Sequence, residues 1–128
     1  LSNAIGQRNP LHCTAVGKAL LAWLPEETLE QVVKDYIFTS RTLNSITEPQ
    51  SFIEELKSVK RNGYAENREE IEIGVRAIAA PVFDRAGVVG AVSITGPAAR
   101  MSEIVEQLDL VSKLLETCTR IGTFMFHV

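Results

Sequence analysis

Apolar and polar positions follow two different periods along this chain, and the change of period marks its elements. From Val75 to Thr95 apolar and small residues dominate two runs, Val75–Asp84 and Val88–Thr95, separated by Arg85-Ala86-Gly87. A three-residue connection ending in Gly closes a β-hairpin, because Gly accepts the positive φ that the last turn residue needs. If Asp84 faces Val88, Ala79 faces Ser93 and Ala77 faces Thr95, and strand alternation puts these four on one side. Ile78, Val82, Val92 and Ile94 then share the other side, a conventional apolar core. The first side carries only small side chains and two hydroxyls, leaving a volume to be filled. Pro81 has no N–H for a ladder, so its strand lies at an edge or has its N–H side free there.

Elsewhere the period is helical. A first helix is predicted from Thr14 to Leu24, and a short second one from Pro25, which suits a first helical turn, to Val33. Tyr36 to Phe38 is either a brief strand or a packed apolar segment. Thr39 to Thr47, rich in Ser, Thr and Asn, is a loop. A third helix is predicted with Thr47 as cap, Gln50 in the reciprocal capping position, and Phe52, Ile53, Leu56 and Val59 inward; Gly63 ends it. Tyr64 opens a strand, and Asn67 to Glu72 is an acidic, solvated loop. One last amphipathic helix starts at Ser102, with Ile104, Val105, Leu108, Val111, Leu114, Leu115, Cys118 and Ile121 on the face that covers a sheet. Mixed helices and an antiparallel hairpin make the fold class α+β.

The start of the first helix carries the first candidate chemistry. Thr14 is a natural N-cap, and Ala15, Val16 and Gly17 have side chains too small to hide the first-turn amides. A helix start of this kind offers donors and partial positive charge to a small carboxylate. His12 and Cys13 do not form a nucleophile–base pair, because adjacent residues of an extended segment point to opposite sides. Cys13 is therefore read as a buried structural thiol. Lys18 and Arg76 are cations able to neutralise an anion. Arg76, however, falls on the core side of the strand alternation and is expected to pair with Glu69, Glu70 or Glu72.

Composition narrows the class. The 128 residues suit one domain, and 45% hydrophobic with 23% charged residues is a globular mix. Net charge is −3 with no basic run longer than two residues, so the chain itself is not expected to bind nucleic acid. Apolar runs are too short to cross a bilayer, and two cysteines in apolar settings fit a reducing cytoplasm rather than a disulfide framework. Ser2-Asn3-Ala4 matches a common tag-cleavage scar, although Leu1 before it favours native chain.

Four segments in order carry a family resemblance: His12-Cys13-Thr14-Ala15-Val16-Gly17-Lys18-Ala19, then Gly63 to Glu70, then Gly74 to Asp84, then Gly90 to Pro97. From about Ile5 to Ile121 the chain resembles the C-terminal effector-binding domain of IclR-type transcription regulators. The resemblance implies a GAF-like (profilin-like) antiparallel sheet flanked by helices, with early strands and an N-terminal winged-helix DNA-binding domain lying outside this sequence. It implies a homodimer or tetramer that senses a small organic acid and contacts DNA only through the domain outside this chain. Carried over by motif, the ligand pocket falls at Ala15, Val16, Asn67, Ala77, Ser93 and Thr95, to which the helix-start reading adds Thr14 and Gly17. Asn67 and Ala77 stand where many members have an acidic residue and Cys, so no metal is expected, nor any cofactor or catalytic residue. The alternative is a small GAF-like enzyme or sensor module using Cys13 or the Ser93 and Thr95 hydroxyls, which lacks a nucleophile–base–orienter set.

Overall fold

The structure, a computed structural model, describes residues 10–127; Ser2-Asn3-Ala4 and Ile5 lie outside them. The elements are α1 (Ala15–Leu21), α2 (Glu26–Asp35), α3 (Pro49–Asn62), β1 (Ala65–Arg68), β2 (Val75–Phe83), β3 (Val88–Pro97), α4 (Ala98–Gln107) and α5 (Leu110–Phe126). The three strands form one antiparallel sheet in the order β1-β2-β3. The expected α+β class is what is found.

The hairpin register is the expected one over most of its length: Ala79 faces Ser93 and Ala77 faces Thr95. Near the turn it slips by one, so that Val88 faces Phe83 rather than Asp84. There the Asp84 side chain accepts from the N–H groups of Ala86 and Gly87, and Gly87 takes a φ of 143°. Ile78 is fully buried and Ile94 half-buried, whereas Ser93 and Thr95 are exposed. Pro81 sits in the central strand, but pairing with β1 stops at Ala79, so only β3 lies beside it.

The sheet separates two apolar clusters. One face packs Ala65, Ala77 and Ala79 against Ala15 and Ala19 of α1, Val33 of α2, and Phe52, Leu56 and Val59 of α3. The other packs Ile78, Ala80 and Val82 against Met101 of α4 and Leu114 and Cys118 of α5. The run of alanines on the first face allows α1 to lie directly on all three strands.

Several local expectations are corrected. The third helix is capped by Glu48 without a side-chain hydrogen bond, not by Thr47, because Pro49 sets the helical φ at its first turn. Asn67 and Arg68 belong to β1, not to a loop. The last helix is two: the chain breaks at Leu108 and at Asp109, whose φ is 49°. Tyr36 to Phe38 is not a strand. It joins an edge-to-face aromatic series of His12, Tyr36, Phe38 and Phe52.

Thr14 caps α1, its hydroxyl accepting from the Gly17 N–H at 3.1 Å and donating to the Pro10 carbonyl at 3.0 Å. A Cβ on Gly17 would meet the Leu11 carbonyl oxygen at 2.2 Å and the Leu11 Cα at 2.7 Å, both backbone atoms that cannot swing aside. Gly17→Ala is therefore expected to destabilise the fold by about 2–3 kcal/mol, read as a lower urea midpoint at unchanged slope.

Candidate functional site

The register assembles the candidate residues in rows across the sheet. Asn67 faces Ala77, which faces Thr95; Ala65 faces Ala79, which faces Ser93. Directly opposed residues point to the same side, and this is the side on which Ala77 and Ala79 pack with Ala15 of α1. Val16 is half-buried against the same cluster. The site is a shelf of small side chains beneath the start of α1, with Ser93 and Thr95 at its open margin and Asn67 at its buried one.

At the helix start the donors divide. Thr14 and Gly17 satisfy each other, so the Gly17 amide is not available to an anion as expected. Among the described residues, the N–H groups of Ala15 and Val16 remain the uncommitted donors of the first turn. Asn67 is buried and its Oδ1 accepts the Glu70 N–H at 2.9 Å. Its amide nitrogen is the group left to offer.

The charged residues differ most from expectation. Lys18 is fully buried and does not face an open site. Its Nζ donates to Glu70 Oε1 at 2.8 Å, Glu70 Oε2 at 2.9 Å and the Glu66 carbonyl at 2.8 Å, with Glu55 Oε2 at 3.7 Å. Glu70 is thus a buried counter-ion rather than part of a solvated run. The rest of that turn is anchored too: Thr42 and Ser45 donate their hydroxyls to the Glu69 and Glu70 carbonyls. Arg76 pairs with none of the three acidic residues expected. It donates to Glu66 Oε2 at 2.7 Å and Ser102 Oγ at 2.8 Å, on the face covered by α4 and α5. The Lys18–Glu70 pair spans the distance from one helix to a turn beyond β1, a separation no local pattern reveals.

His12 and Cys13 make no catalytic pair. His12 Nε2 lies 2.8 Å from the Thr39 carbonyl, which can only accept, so Nε2 carries the proton. Nδ1 meets the Tyr36 hydroxyl at 2.7 Å, and both ring nitrogens are occupied. Burial pushes the Cys13 thiol up, and burial does the same to Cys118, whose Sγ points at the Ala80 carbonyl. Neither is poised as a thiolate. Among the described residues no group of three His, Cys, Asp or Glu side chains is placed to hold a metal ion, and no helix is long and apolar enough to cross a membrane. An apolar cavity of about 260 Å³ lies apart from the shelf, between Trp23, Pro81, Phe83, Leu115 and Gly122.

A small antiparallel sheet between two helical layers defines an α+β domain. Residues 1–123 match the family described as bacterial transcriptional regulator IclR C-terminal, and the chain belongs to it. The HTH-type transcriptional regulator KdgR of Escherichia coli is 43% identical over 117 residues, 91% of this chain and 44% of that protein. KdgR of Dickeya chrysanthemi is 46% identical over 100 residues, 77% of this chain and 33% of its own length. The chain thus spans less than half of these curated relatives. The crystal structure of the E. coli KdgR C-terminal domain superposes with a TM-score of 0.79 at 43% identity, covering 91% of this chain and 70% of that one. The inducer-binding domain of PobR from Acinetobacter, a double mutant in complex with 3-hydroxybenzoic acid, does so at 0.83 and 30% identity, covering 93% and 69%. These relatives are named as transcriptional regulators, not as enzymes.

Glu66 supplies a pH test of the opposite face. Burial pushes its carboxyl up, but the hydrogen bonds from Arg68 and Arg76 outweigh this and hold it below the ordinary 4.5. A depressed folded-state value contributes stability above the unfolded value that is lost as pH falls through the folded one. Glu66→Gln should be less stable than wild type at pH 7, and its loss of stability on acidification below 4.5 should be shallower, as urea titrations at stepped pH will show.

Proposed function

We propose that this chain is the effector-sensing domain of a cytoplasmic transcription regulator, in which a small organic acid binds on the shelf beneath α1. The observation that carries this reading is the cross-sheet alignment of Asn67, Ala77 and Thr95, flanked by Ser93, under the free amides of Ala15 and Val16. Two backbone donors near a helix start suit a carboxylate, and two hydroxyls and an amide suit the ligand's other polar atoms. Ala77 contributes only a methyl group to that row. Thr14 and Gly17 shape the helix start rather than touch the ligand. The 3-hydroxybenzoic acid held by the related PobR domain belongs to the same chemical class.

The signal passes to DNA through a winged-helix domain in the part of the protein that this chain does not span, within a homodimer or tetramer. Effector can bias DNA affinity only by preferring one arrangement of that assembly over another. The turn after Asn67 and the segment from Thr39 to Thr47 are hydrogen-bonded to each other and anchored to the fold, so any response to ligand moves them as one unit. Neither metal nor cofactor takes part.

A melting-temperature screen against small mono- and dicarboxylates identifies the class. Ser93→Ala should then weaken the best ligand by about 1–3 kcal/mol in titration calorimetry, since one polar ligand atom loses its partner. Unchanged affinity would remove Ser93 from the site. The long outer edge of β3 and exposed Phe124 and Met125 need cover, so this chain should self-associate. A sharp monomer mass by light scattering at high concentration would count against that.

A further inference from the structure

We propose that the buried Lys18–Glu70 pair is a positioning device for the ligand site: it fixes the sense of the Asn67 amide and so makes the site select ligands that present a hydrogen-bond acceptor there. The inference rests on the shelf being the ligand site.

Every polar group of Glu70 is committed. Its N–H donates to Asn67 Oδ1, and its carbonyl accepts the Ser45 hydroxyl. Both carboxylate oxygens accept from Lys18 Nζ, and Oε2 also accepts the Arg68 N–H at 2.9 Å. Lys18 in turn is held by the Glu66 carbonyl, one residue before Asn67. The ammonium thus grips the chain on both sides of Asn67 and sets the turn between residues 67 and 70.

The consequence at Asn67 follows from the donor inventory. A backbone N–H can face only the oxygen of an amide, never its NH₂. With Oδ1 turned to Glu70, Asn67 presents donors alone to the shelf, in the row of Ala77 and Thr95. A ligand carboxylate or carbonyl oxygen pairs with it. A neutral hydroxyl oxygen also accepts there but more weakly than a carboxylate, and a cation cannot do so at all. Lys18 itself lends no free charge, because Glu70 neutralises it. Selection at this point is therefore for the stronger acceptor, so a carboxylate is favoured over a neutral hydroxyl.

Matched probes test this with the 128-residue chain: propionate against 1-propanol and benzoate against benzyl alcohol, titrated by calorimetry. Wild type should prefer each carboxylate by at least about tenfold. Asn67→Asp, which keeps the acceptor for Glu70 N–H but turns the presented group into an acceptor, should lose or reverse that preference. Lys18→Met/Glu70→Gln removes both charges together and frees the turn. It should narrow the preference to within about threefold while both probes still bind, since a flipped amide accepts a donor as readily. Where the double variant does not fold, Glu70→Asp keeps both charges but withdraws the carboxylate by one methylene, and it should narrow the preference as well. A pair with a merely scaffolding role would lower the melting temperature and leave the ratio of affinities untouched. A folded double variant, or Glu70→Asp, that keeps the wild-type ratio overturns the proposal while leaving the shelf as the site. Wild type that binds neither carboxylate overturns the reading of the shelf, and the inference with it.

Discussion

A lysine with no solvent exposure sits at the centre of this domain, and the arrangement around it follows from the cost of putting it there. An ammonium taken out of water is tolerated only when paired and fully hydrogen-bonded. Lys18 meets that demand with the Glu70 carboxylate and the Glu66 carbonyl. Because Lys18 lies in α1, satisfying it seats the helix on the sheet. Because Glu70 lies just past β1, it also folds the turn that follows back over the helix. That turn then binds the segment of Thr42 and Ser45, so three stretches far apart in sequence are placed by one charge. Losing one member of such a pair costs about 3–5 kcal/mol, whereas replacing both by apolar residues of similar volume is often neutral. The pair therefore specifies an arrangement more than it adds stability.

The two faces of the sheet divide the work. The α1 face is built from alanines and short polar groups, which let the helix approach the sheet closely. The α4 and α5 face is aliphatic and contains the Arg68–Glu66–Arg76 cluster, with Arg76 reaching across to Ser102 in the second turn of α4. That cluster ties β1 and β2 to the following helical layer. Glu66 and Asn67, adjacent in β1, point to opposite faces, one toward Arg68 and Arg76 and the other toward the turn at Glu70.

How much of this was legible before folding depended on the range of the interaction. The hairpin was readable because alternation and a Gly-terminated turn act over neighbouring residues, and they placed Ala77, Ala79, Ser93 and Thr95 on one face. The Thr14 cap was readable for the same reason. Thr47 misled because Pro49, only two positions on, sets the helix start more firmly than a hydroxyl does. The break at Asp109 was invisible to periodicity: Ile104, Val105, Leu108 and Val111 keep an apolar sequence pattern through it, and that pattern does not report a backbone φ. Lys18–Glu70 and Arg76–Glu66 could not be read at all. The sequence shows charges, and only the fold decides which charge lies 52 or 10 residues away at hydrogen-bond distance. Asn67 was put forward through family resemblance, and its place within a strand, and the sense in which its amide points, needed the register.

The contact of Gly17 with Leu11 has a mechanical meaning. With no side chain between them, the backbone at Leu11 rests against the first turn of α1, and His12, the next residue, is held by Tyr36 and Thr39. There is no compressible layer at this junction: a displacement of the Leu11 backbone cannot be absorbed by a rotamer change. It must shift α1 bodily or not at all. The backbone at Leu11 and the amides of Ala15 and Val16 therefore behave as two ends of one stiff strut, whose length is set by the absence of a single methyl group.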